Sequence, residues 1–455
     1  MLEVIILAAG KGNRMQSDLP KVLHTLAGQP LIQHVLGTAS ALAADRVHVV
    51  VGHGAEQVQA AIADPNVSCH LQVEQLGTGH AVQQAIGHCD PASTVLVLYG
   101  DVPLIGVDAL TSVVTAAQDG AAVLSADLAQ PQGYGRILRD AAGEFAGVVE
   151  QRDASPEQLA LSEVNTGVLA APAAQLAQWL QRVENHNAQS EYYLPDVLSL
   201  ALTDGVPVRV IQSQSLTDAL GVNDPLQLEQ LERLHQRSLA EKLMAAGVKV
   251  ADRNRIDIRG TLQCGRGVSI DPNVLFEGDV VLGDDVHIGA QCVIRNARLA
   301  SGTNIQPFSH LDGVTVGEEA QIGPFARLRP GTTLHKGTKV GNFVEIKNTE
   351  LGEGAKANHL AYLGDADIGA HSNVGAGTIT CNYDGAEKHR TELGEGVFIG
   401  SNSTLVAPLT IASGGFIAAG STITDDVKAD QLAVARGRQR NVDGWQRPTK
   451  PGKDA

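Results

Sequence analysis

Aliphatic residues recur at about every sixth position between Leu282 and Ile379. Most steps are six residues and a few are five, as from Ile294 to Leu299, so three steps total 17 or 18 residues. This period fits neither an amphipathic helix, with faces that recur at about 3.6 residues, nor a strand, with faces that recur at about 2. It predicts a parallel β-helix in which aliphatic side chains stack from coil to coil and glycine takes corners. The repeated positions are Leu282, Ile288, Ile294, Leu299, Ile305, Leu311, Val316, Ile322, Leu328, Leu334, Val340, Ile346, Leu351, Ala357, Leu363, Ile368 and Val374.

The aliphatic ladder is interrupted by a polar, turn-forming segment at residues 381–392 and resumes at Leu393. Coils of a solenoid contact only their neighbours, so ligands must use grooves, inserted loops or other copies. An insertion of this size is therefore a candidate functional element. A tolerated surface loop is the alternative that spacing alone leaves open.

The N-terminal half has a different pattern, in which short apolar runs alternate with helix-like stretches. The runs at residues 4–7, 47–51 and 95–99 predict strands, and residues 31–44 and 81–86 predict helices. Strands that alternate with helices indicate a mostly parallel α/β sheet, which binds ligands at the carboxyl ends of its strands.

The two halves meet near Asp224 and Pro225, where a Gln/Glu-rich amphipathic helix is predicted. Asp224 suits the N-cap, Pro225 the first helical position and Gly247 the region beyond the end. We therefore expect one domain at residues 1–225, a linker helix at 226–246 and a second domain at 247–455.

Composition excludes several classes of protein. The 455 residues carry a net charge of −16, which disfavours nucleic acid or an acidic membrane as partner. No apolar run reaches the roughly 20 residues of a membrane span, and the N-terminus, which is predicted to enter a strand at once, does not look like a signal peptide. The cysteines lack CxxC spacing and suggest reduced thiols, so a cytoplasmic location is expected. They are Cys69, Cys89, Cys264, Cys292 and Cys381.

A glycine-rich loop with cations follows the first predicted strand. Gly10 and Gly12 precede Arg14, and Lys21 follows after Pro20. Backbone N–H groups of such a loop can close on phosphates while the cations oppose their charge. The loop matches neither the Walker A pattern nor G-x-G-x-x-G, so alone it is weak support for nucleotide binding.

Further motifs give the loop its significance. The sequence resembles, in order, the signature of nucleotide-sugar pyrophosphorylases at residues 7–15, 17–24, 72, 74–80, 99–103, 133–136, 149–150, 165–167 and 221–223. With the hexapeptide half, the chain resembles the bifunctional bacterial N-acetylglucosamine-1-phosphate uridyltransferase / glucosamine-1-phosphate N-acetyltransferase family over nearly its whole length. The resemblance implies an α/β Rossmann-like nucleotidyltransferase domain, a linker helix and a left-handed parallel β-helix.

For the N-terminal domain the resemblance implies condensation of UTP with N-acetylglucosamine 1-phosphate, releasing pyrophosphate. Asp101 and Asn223 would hold Mg²⁺, and Arg14 and Lys21 would act on the phosphates. From the residues alone, Asp101 serves equally well as a turn-former before Pro103. The nucleotide and sugar would contact Leu7, Ala8, Ala9, Gly10, Lys21, Gln72, Gly77, Thr78, Tyr99, Gly100, Asp101, Gly135, Glu150, Asn165 and Asn223.

For the β-helix the resemblance implies acetyl transfer from acetyl-CoA to glucosamine 1-phosphate, with His359 as general base. An imidazole with a usual pKa of about 6.5 suits this work near neutrality. Without the resemblance, His359 is one of 15 histidines, and an exposed histidine on a repeat face is the favoured interpretation. Arg329, Lys347, Tyr362 and Asn373 would bind the sugar phosphate, and Asn382 and Tyr383 would close the site. Acetyl-CoA would contact Ala376, Asn382, Tyr383, Ser401, Ala419 and Arg436.

Several points stay open at this stage. Arg438 competes with Arg436 for the CoA phosphate, or both belong to a solvated basic tail. The resemblance implies a homotrimer that binds small-molecule substrates. The rival hypotheses are a single-activity uridyltransferase with a β-helix used only for assembly, and a non-catalytic nucleotide-sugar sensor.

Overall fold

The computed structural model describes residues 1–62 and 64–448. Within it the chain forms two compact units, Met1–Ser238 and Leu239–Ala455. None of the helices in the described ranges combines the length and apolar composition that a membrane span requires.

The first unit is built on a twisted sheet with helices on both faces. Its strands are β1 (Leu2–Ala8), β2 (Thr25–Leu26), β3 (Gln29–Pro30), β4 (Arg46–Val51), β5 (Val67–Leu71), β6 (Thr94–Tyr99), β7 (Ala121–Asp127), β8 (Gly135–Arg139), β9 (Phe145–Val149), β10 (Glu163–Pro172) and β11 (Val208–Gln212). Its helices are α1 (Leu31–Ala41), α2 (Ala55–Ile62), α3 (Thr78–Ile86), α4 (Val107–Ala116), α5 (Pro156–Leu159), α6 (Ala173–Leu180) and α7 (Asp196–Thr203). Short 3-10 turns lie at Asn13–Met15, Lys21–Leu23, Ala117–Asp119 and Leu216–Asp218.

The main sheet has the strand order β11-β7-β10-β6-β1-β4-β5, with β8 beside β10 and β9 beside β8. Strands β6, β1, β4 and β5 are parallel, and β10 runs antiparallel to β6 and β7. Apolar side chains on the two faces of the sheet pack into separate clusters. The predicted mostly parallel α/β sheet is therefore confirmed.

The first helix is shorter than predicted. The sequence predicts a helix over residues 31–44, but α1 ends at Ala41 because Ala43 has a φ of 53°. That left-handed conformation cannot continue a right-handed helix.

Helix α8 spans Pro225–Ala245. Asp224 Oδ1 accepts a hydrogen bond from the Gln227 N–H at 2.9 Å, and Gly247 follows the helix with a φ of 96°. The predicted cap residues thus lie at its ends.

The second unit is a left-handed parallel β-helix, as predicted. In the described residues one side is a sheet formed by Lys249–Val250, Ser269–Ile270, His287–Ile288, Asn304–Ile305, Gln321–Ile322, Lys339–Asn342, Lys356–His359, Asn373–Val374, Phe398–Ile399, Phe416–Ile417 and Leu432–Ala433. We call this side the first face.

The other two sides belong to a continuous sheet that bends between them. It comprises Ile256–Cys264, Val274–Leu282, Val293–Arg295, Arg298–Leu299, His310–Asp312, Val314–Val316, Arg327–Leu328, Thr332–Leu334, Glu345–Lys347, Glu350–Leu351, Tyr362–Gly364, Ala366–Ile368, Ile379–Cys381, Thr391–Leu393, Thr404–Val406, Leu409–Ile411 and Thr422–Ile423.

The predicted aliphatic ladder is buried in the β-helix core. All its residues from Leu282 to Val374 are at most 4% exposed, and Leu393 to Ile423 continue it. Ile379 is an exception, because it is 46% exposed, and Thr380 occupies the inward position at 1% exposure. The Thr380 hydroxyl accepts a hydrogen bond from the Gly364 N–H at 2.7 Å and donates to the Gly364 oxygen at 3.1 Å, so it is satisfied inside the core.

The segment that interrupts the ladder folds as a small hairpin. Tyr383 forms an antiparallel bridge with Lys388, and the Asp384 carboxylate accepts hydrogen bonds from the Ala386 and Glu387 N–H groups. These backbone bonds and a 2.7 Å contact to His389 hold the pKa of Asp384 well below its usual range. The inserted segment is therefore an ordered element.

We predict that Ile346→Ala lowers the free energy of unfolding by about 2–5 kcal/mol, because Ile346 is fully buried in the stack and truncation leaves a cavity. The matched change Ile379→Ala removes an exposed side chain and should cost about 0.5 kcal/mol or less. Unfolding midpoints measured by circular dichroism check the pair. A larger loss in Ile379→Ala would contradict its outward position.

Candidate active sites

A cavity of about 860 Å³ opens in the first unit at the carboxyl ends of β1 and β6. This is the edge at which parallel α/β sheets bind ligands. Its volume is within the range of small-molecule sites. The predicted residues that line it are Leu7, Ala8, Ala9, Gly10, Arg14, Lys21, Gln72, Gly77, Thr78, Tyr99, Asp101, Glu150 and Asn223.

Three predicted residues lie beside the cavity without lining it. The Gly100 N–H donates to the Leu7 oxygen at 2.9 Å and joins β6 to β1. A Cβ atom at Gly135 would lie 3.2 Å from Glu150 Oε1, and Asn165 Oδ1 accepts from the Gly167 N–H at 3.0 Å. Lining residues that sequence reasoning did not select include Lys11, Gln75, Tyr134, Gln151, Arg152, Thr166, Gln189, Glu191 and Gln227. Lys11 and Tyr134 stand inside recognised motifs and could have been found there.

Lys21 holds together the two residues that were predicted as metal ligands. Its ammonium group pairs with the Asp101 carboxylate and donates to Asn223 Oδ1 at 3.2 Å. The Val222 N–H donates to the Asp101 backbone oxygen at 2.9 Å, so the backbone aligns the two segments. A carboxylate oxygen and an amide oxygen therefore converge on one cation in this cavity.

The backbone of the glycine-rich loop that follows β1 requires glycine at one position. Gly12 has a φ of 60°, and a Cβ atom there would lie 2.7 Å from the Cβ of Lys21. A larger residue would be strained and would displace Lys21 from Asp101. The loop conformation and the lysine position are thus linked.

The opposite part of the cavity favours uncharged groups. Burial, helped by the nearby Glu150 carboxylate, raises the pKa of Tyr99. Burial likewise raises the pKa of Glu150, and Asp196, Asp153 and Glu191 add to the effect. This acidic end suits the hydroxyl groups of a sugar better than phosphate.

His359 lies at the end of its strand on the first face of the β-helix and is exposed. Its Nδ1 contacts Asn342 Oδ1 at 2.8 Å, and the two residues are register partners on neighbouring coils. Because the amide oxygen only accepts, the imidazole donates from Nδ1. The neutral ring then presents an unprotonated Nε2. Asn342 was not selected from the sequence, where it resembles other asparagines of the repeat.

The same position on later coils carries the residues predicted for acetyl-CoA. Ala357 pairs with Val374, Val374 with Ile399 and Ile399 with Ile417, so residues two further along also align. This row, which we call the His359 row, consists of Asn342, His359, Ala376, Ser401 and Ala419. Arg436 Nη1 donates to the Ala419 oxygen at 2.6 Å, so Arg436 reaches the row.

A second cavity, of about 560 Å³, adjoins the inserted hairpin. Lys347 and Lys388 both line it, and the proximity of the Lys347 ammonium lowers the pKa of Lys388. Two facing ammonium groups form a favourable place for a polyanion. Lys388 was not selected from the sequence as a site residue. The lining residues are Pro330, Lys347, Asn348, Asp365, Lys388, His389 and Arg390.

The remaining predicted residues of the β-helix lie around this cavity or away from it. Arg329 donates to Glu345 at 2.9 Å, and Glu345 is the register partner of Tyr362. Asn373 is on the first face beside Lys356, so the described residues of one chain do not bring it to Lys347. The Asn382 side chain is buried and donates to Asp365, whereas Tyr383 is 61% exposed and donates to the Gly385 oxygen at 2.6 Å.

The sequence has close relatives across its whole length. It is 54% identical over 450 residues to a "Bifunctional protein GlmU" of Aromatoleum aromaticum, 55% to one of Burkholderia vietnamiensis and 56% to one of Burkholderia mallei. Each alignment covers 99% of this chain and 99% of the relative. The chain belongs to the bifunctional GlmU family.

Two family patterns match separate parts of the chain. The MobA-like NTP transferase domain matches residues 4–184, and the bacterial transferase hexapeptide matches residues 263–296. They fall in the α/β unit and in the β-helix, respectively. The resemblance on which the sequence interpretation relied is therefore confirmed.

We predict that Asn342→Ala lowers the rate of acetyl transfer at least tenfold, because His359 loses the group that fixes its tautomer and ring orientation. Uridyl transfer should be unchanged. Asn304→Ala, on the same face two coils earlier, is the matched control and should keep both activities. Equal rates for the two variants in a CoA-thiol assay would contradict the positioning role.

Proposed function

We propose that this bifunctional uridyltransferase and acetyltransferase makes UDP-N-acetylglucosamine in two steps at two separate sites. The β-helix transfers the acetyl group of acetyl-CoA to the amine of glucosamine 1-phosphate. The α/β unit then joins the product, N-acetylglucosamine 1-phosphate, to the UMP portion of UTP and releases pyrophosphate. The observation that carries the proposal is that the His359 row and the Lys21–Asp101–Asn223 cluster lie in different units.

In uridyl transfer a phosphate oxygen of the sugar attacks the α-phosphorus of UTP while the bond to pyrophosphate breaks. Both reactants are anions, so cations must oppose their charge and the charge that grows on the leaving group. Arg14, Lys11 and Lys21 line the cavity at the loop that follows β1. Gln72, Gly77 and Thr78 would bind uracil, and Glu150 would bind sugar hydroxyls at the acidic end.

The donor set near Lys21 fits Mg²⁺. A carboxylate and an amide oxygen are ligands for a hard divalent ion that retains water. Asp101 and Asn223 already converge on the Lys21 ammonium, so both oxygens face one cation position. When bound there, Mg²⁺ would neutralise phosphate charge.

In acetyl transfer the amine nitrogen attacks the thioester carbon, and CoA leaves as the thiol. His359 Nε2 accepts the proton that the amine loses and can return it to the departing sulfur. Asn342 keeps the ring in the required tautomer. Ala376, Ser401 and Ala419 continue along the same face, and because their side chains are small, extended acetyl-CoA could lie along this row. Arg436 at the end of this row would meet a CoA phosphate.

Lys347, Arg329 and Lys388 would bind the phosphate of glucosamine 1-phosphate, with Tyr362 beside them. The repulsion that lowers the pKa of Lys388 is relieved when an anion binds between the two lysines. Asn373 lies on a different face from Lys347, so the proposed sugar-phosphate site is completed by a neighbouring copy.

We propose that the chain assembles as a homotrimer through an exposed apolar column on the β-helix. Phe308, Phe325 and Phe343 stack at centroid distances of 5.0 and 5.3 Å, although each is about half exposed. Leu360, next to His359, extends the column at 61% exposure. An exposed apolar patch of this kind marks an interface, and this one adjoins the proposed catalytic base.

All five cysteines are free. Together with a reaction that consumes UTP and acetyl-CoA, this supports action in the cytoplasm.

We predict that Asp101→Ala abolishes pyrophosphate release and leaves acetyl transfer intact, because Asp101 belongs only to the α/β cavity. His359→Ala should lower acetyl transfer by about 10²–10⁴-fold and leave uridyl transfer intact. The assays are CoA-thiol release without nucleotide and pyrophosphate release from UTP with N-acetylglucosamine 1-phosphate. Loss of both activities in either folded variant would refute two independent sites.

We predict that Phe325→Glu shifts the molar mass in solution from trimer to monomer, because it places charges in the apolar column. Leu226→Glu changes a side chain that is 82% exposed outside the column and should leave the mass unchanged. Light scattering coupled to size exclusion measures both. A trimeric Phe325→Glu protein would place the interface elsewhere.

A further inference from the structure

A buried polar cluster lies in the first unit at the edge of the sheet opposite the nucleotide cavity. Glu3 is near the start of β1, His48 is on β4 opposite Ile5, and Cys89 follows α3. Glu3 and Ala8 are five residues apart on an extended strand, which spans roughly 16 Å. The cluster therefore has no part in the proposed uridyl transfer.

The three side chains turn their donor atoms toward each other. Glu3 is 0% exposed, His48 3% and Cys89 8%. Glu3 Oε2 contacts His48 Nε2 at 2.9 Å, and the carboxylate, imidazole and thiol donor atoms all lie within 4.8 Å of one another. Buried charge and polarity of this kind are costly unless the groups are paired or bind a metal.

The two oxygens of the Glu3 carboxylate have different partners. The Asp90 N–H donates to Glu3 Oε1 at 2.9 Å. The remaining oxygen, Oε2, is directed at His48. One carboxylate oxygen is thus fixed by the backbone and the other faces the cluster.

We propose that Glu3, His48 and Cys89 bind a divalent transition-metal ion of the zinc class. Oxygen, nitrogen and sulfur donors together suit Zn²⁺ and disfavour Mg²⁺, which selects oxygen ligands. Zn–N and Zn–O bonds of about 2.1 Å in a tetrahedron separate the two donors by about 3.4 Å. The Glu3–His48 distance of 2.9 Å needs to open by only a few tenths of an ångström. A water completes four ligands.

Two more histidines support the proposed site from the solvent side. His48 Nδ1 contacts His70 Nε2 at 3.0 Å, so the ring nitrogen that does not face Glu3 is also held. Metal-binding histidines generally donate their second ring N–H to a hydrogen-bond acceptor, and His70 Nε2 can be that acceptor. The rings of His70 and His88 lie 4.5 Å apart, His70 is half-buried and His88 is exposed. The three imidazoles give the ion a polar route from solvent to the buried donors.

The bound ion would join three segments that are distant in sequence: the start of β1, strand β4 and the turn between α3 and β6. A ligand that binds only the folded state raises stability by mass action. The proposed role is therefore structural, and it is independent of both proposed activities.

The test uses the full-length protein, stripped with a chelator and dialysed, and titrated with Co²⁺ and with Zn²⁺. We expect one high-affinity equivalent per chain, with a thiolate-to-cobalt charge-transfer absorption that Zn²⁺ displaces. Cys89→Ser should abolish this absorption and weaken Zn²⁺ binding at least a hundredfold in calorimetry. His70→Gln removes the supporting contact from a half-buried position and should weaken Zn²⁺ binding about 10–100-fold.

Cys264→Ser is the matched control, because that cysteine lies in the β-helix, and it should retain the absorption and the affinity. Circular dichroism shows whether each metal-free variant is folded. If Cys89→Ser does not fold, the Zn²⁺ affinity of His70→Gln still tests the proposal. The proposal is overturned if Co²⁺ does not bind with a thiolate-to-cobalt absorption. It is also overturned if folded Cys89→Ser or His70→Gln binds Zn²⁺ with the same affinity as the Cys264→Ser control.

Discussion

Each side of each coil of the β-helix buries one side chain, and this repeat fixes where every neighbouring residue of the second unit can lie. Once Val340, Ala357 and Val374 are stacked, the residues two positions later must also align. The His359 row follows directly from this constraint. The proposed catalytic base, the amide that contacts it and the small residues proposed to meet acetyl-CoA are thus placed in line without any dedicated element.

The first unit brings its site residues together in a different way. Lys21 and Asn223 are separated by 202 positions in the chain, yet the sheet brings their loops to a common edge. There the positive φ of Gly12 and the close approach of Lys21 depend on each other. The β-helix aligns its residues because its coils repeat at a nearly fixed spacing. The α/β sheet instead brings together residues that are distant in the sequence, because its strand order places their loops at one edge.

This difference explains what could be predicted from the sequence. The six-residue period identified the β-helix and its core almost residue by residue, because burial in a solenoid depends only on position within the coil. It missed Thr380, since a hydroxyl that bonds to the Gly364 backbone can replace an aliphatic side chain. Asn342 and Lys388 were missed because their importance arises from contacts with His359 and Lys347, which no local pattern records. In the α/β unit most lining residues came from motifs, and Gln189, Glu191 and Gln227 joined them through folding alone.

The buried Glu3 cluster raises a question that neither activity answers. The amino ends of parallel strands ordinarily bear no ligand, and an apolar residue at position 3 would continue the pattern of Val4, Ile5 and Ile6 without the cost of desolvating a carboxylate. His48 interrupts the apolar strand β4 in the same way. Replacing a buried pair by apolar residues is often neutral or stabilising, so the hydrogen bonds of the acid and the imidazole do not by themselves explain why these groups meet a thiol here. The proposed metal ion would explain it, because the ion would convert three costly polar groups into ligands and join three segments at the edge of the sheet that is remote from the nucleotide cavity.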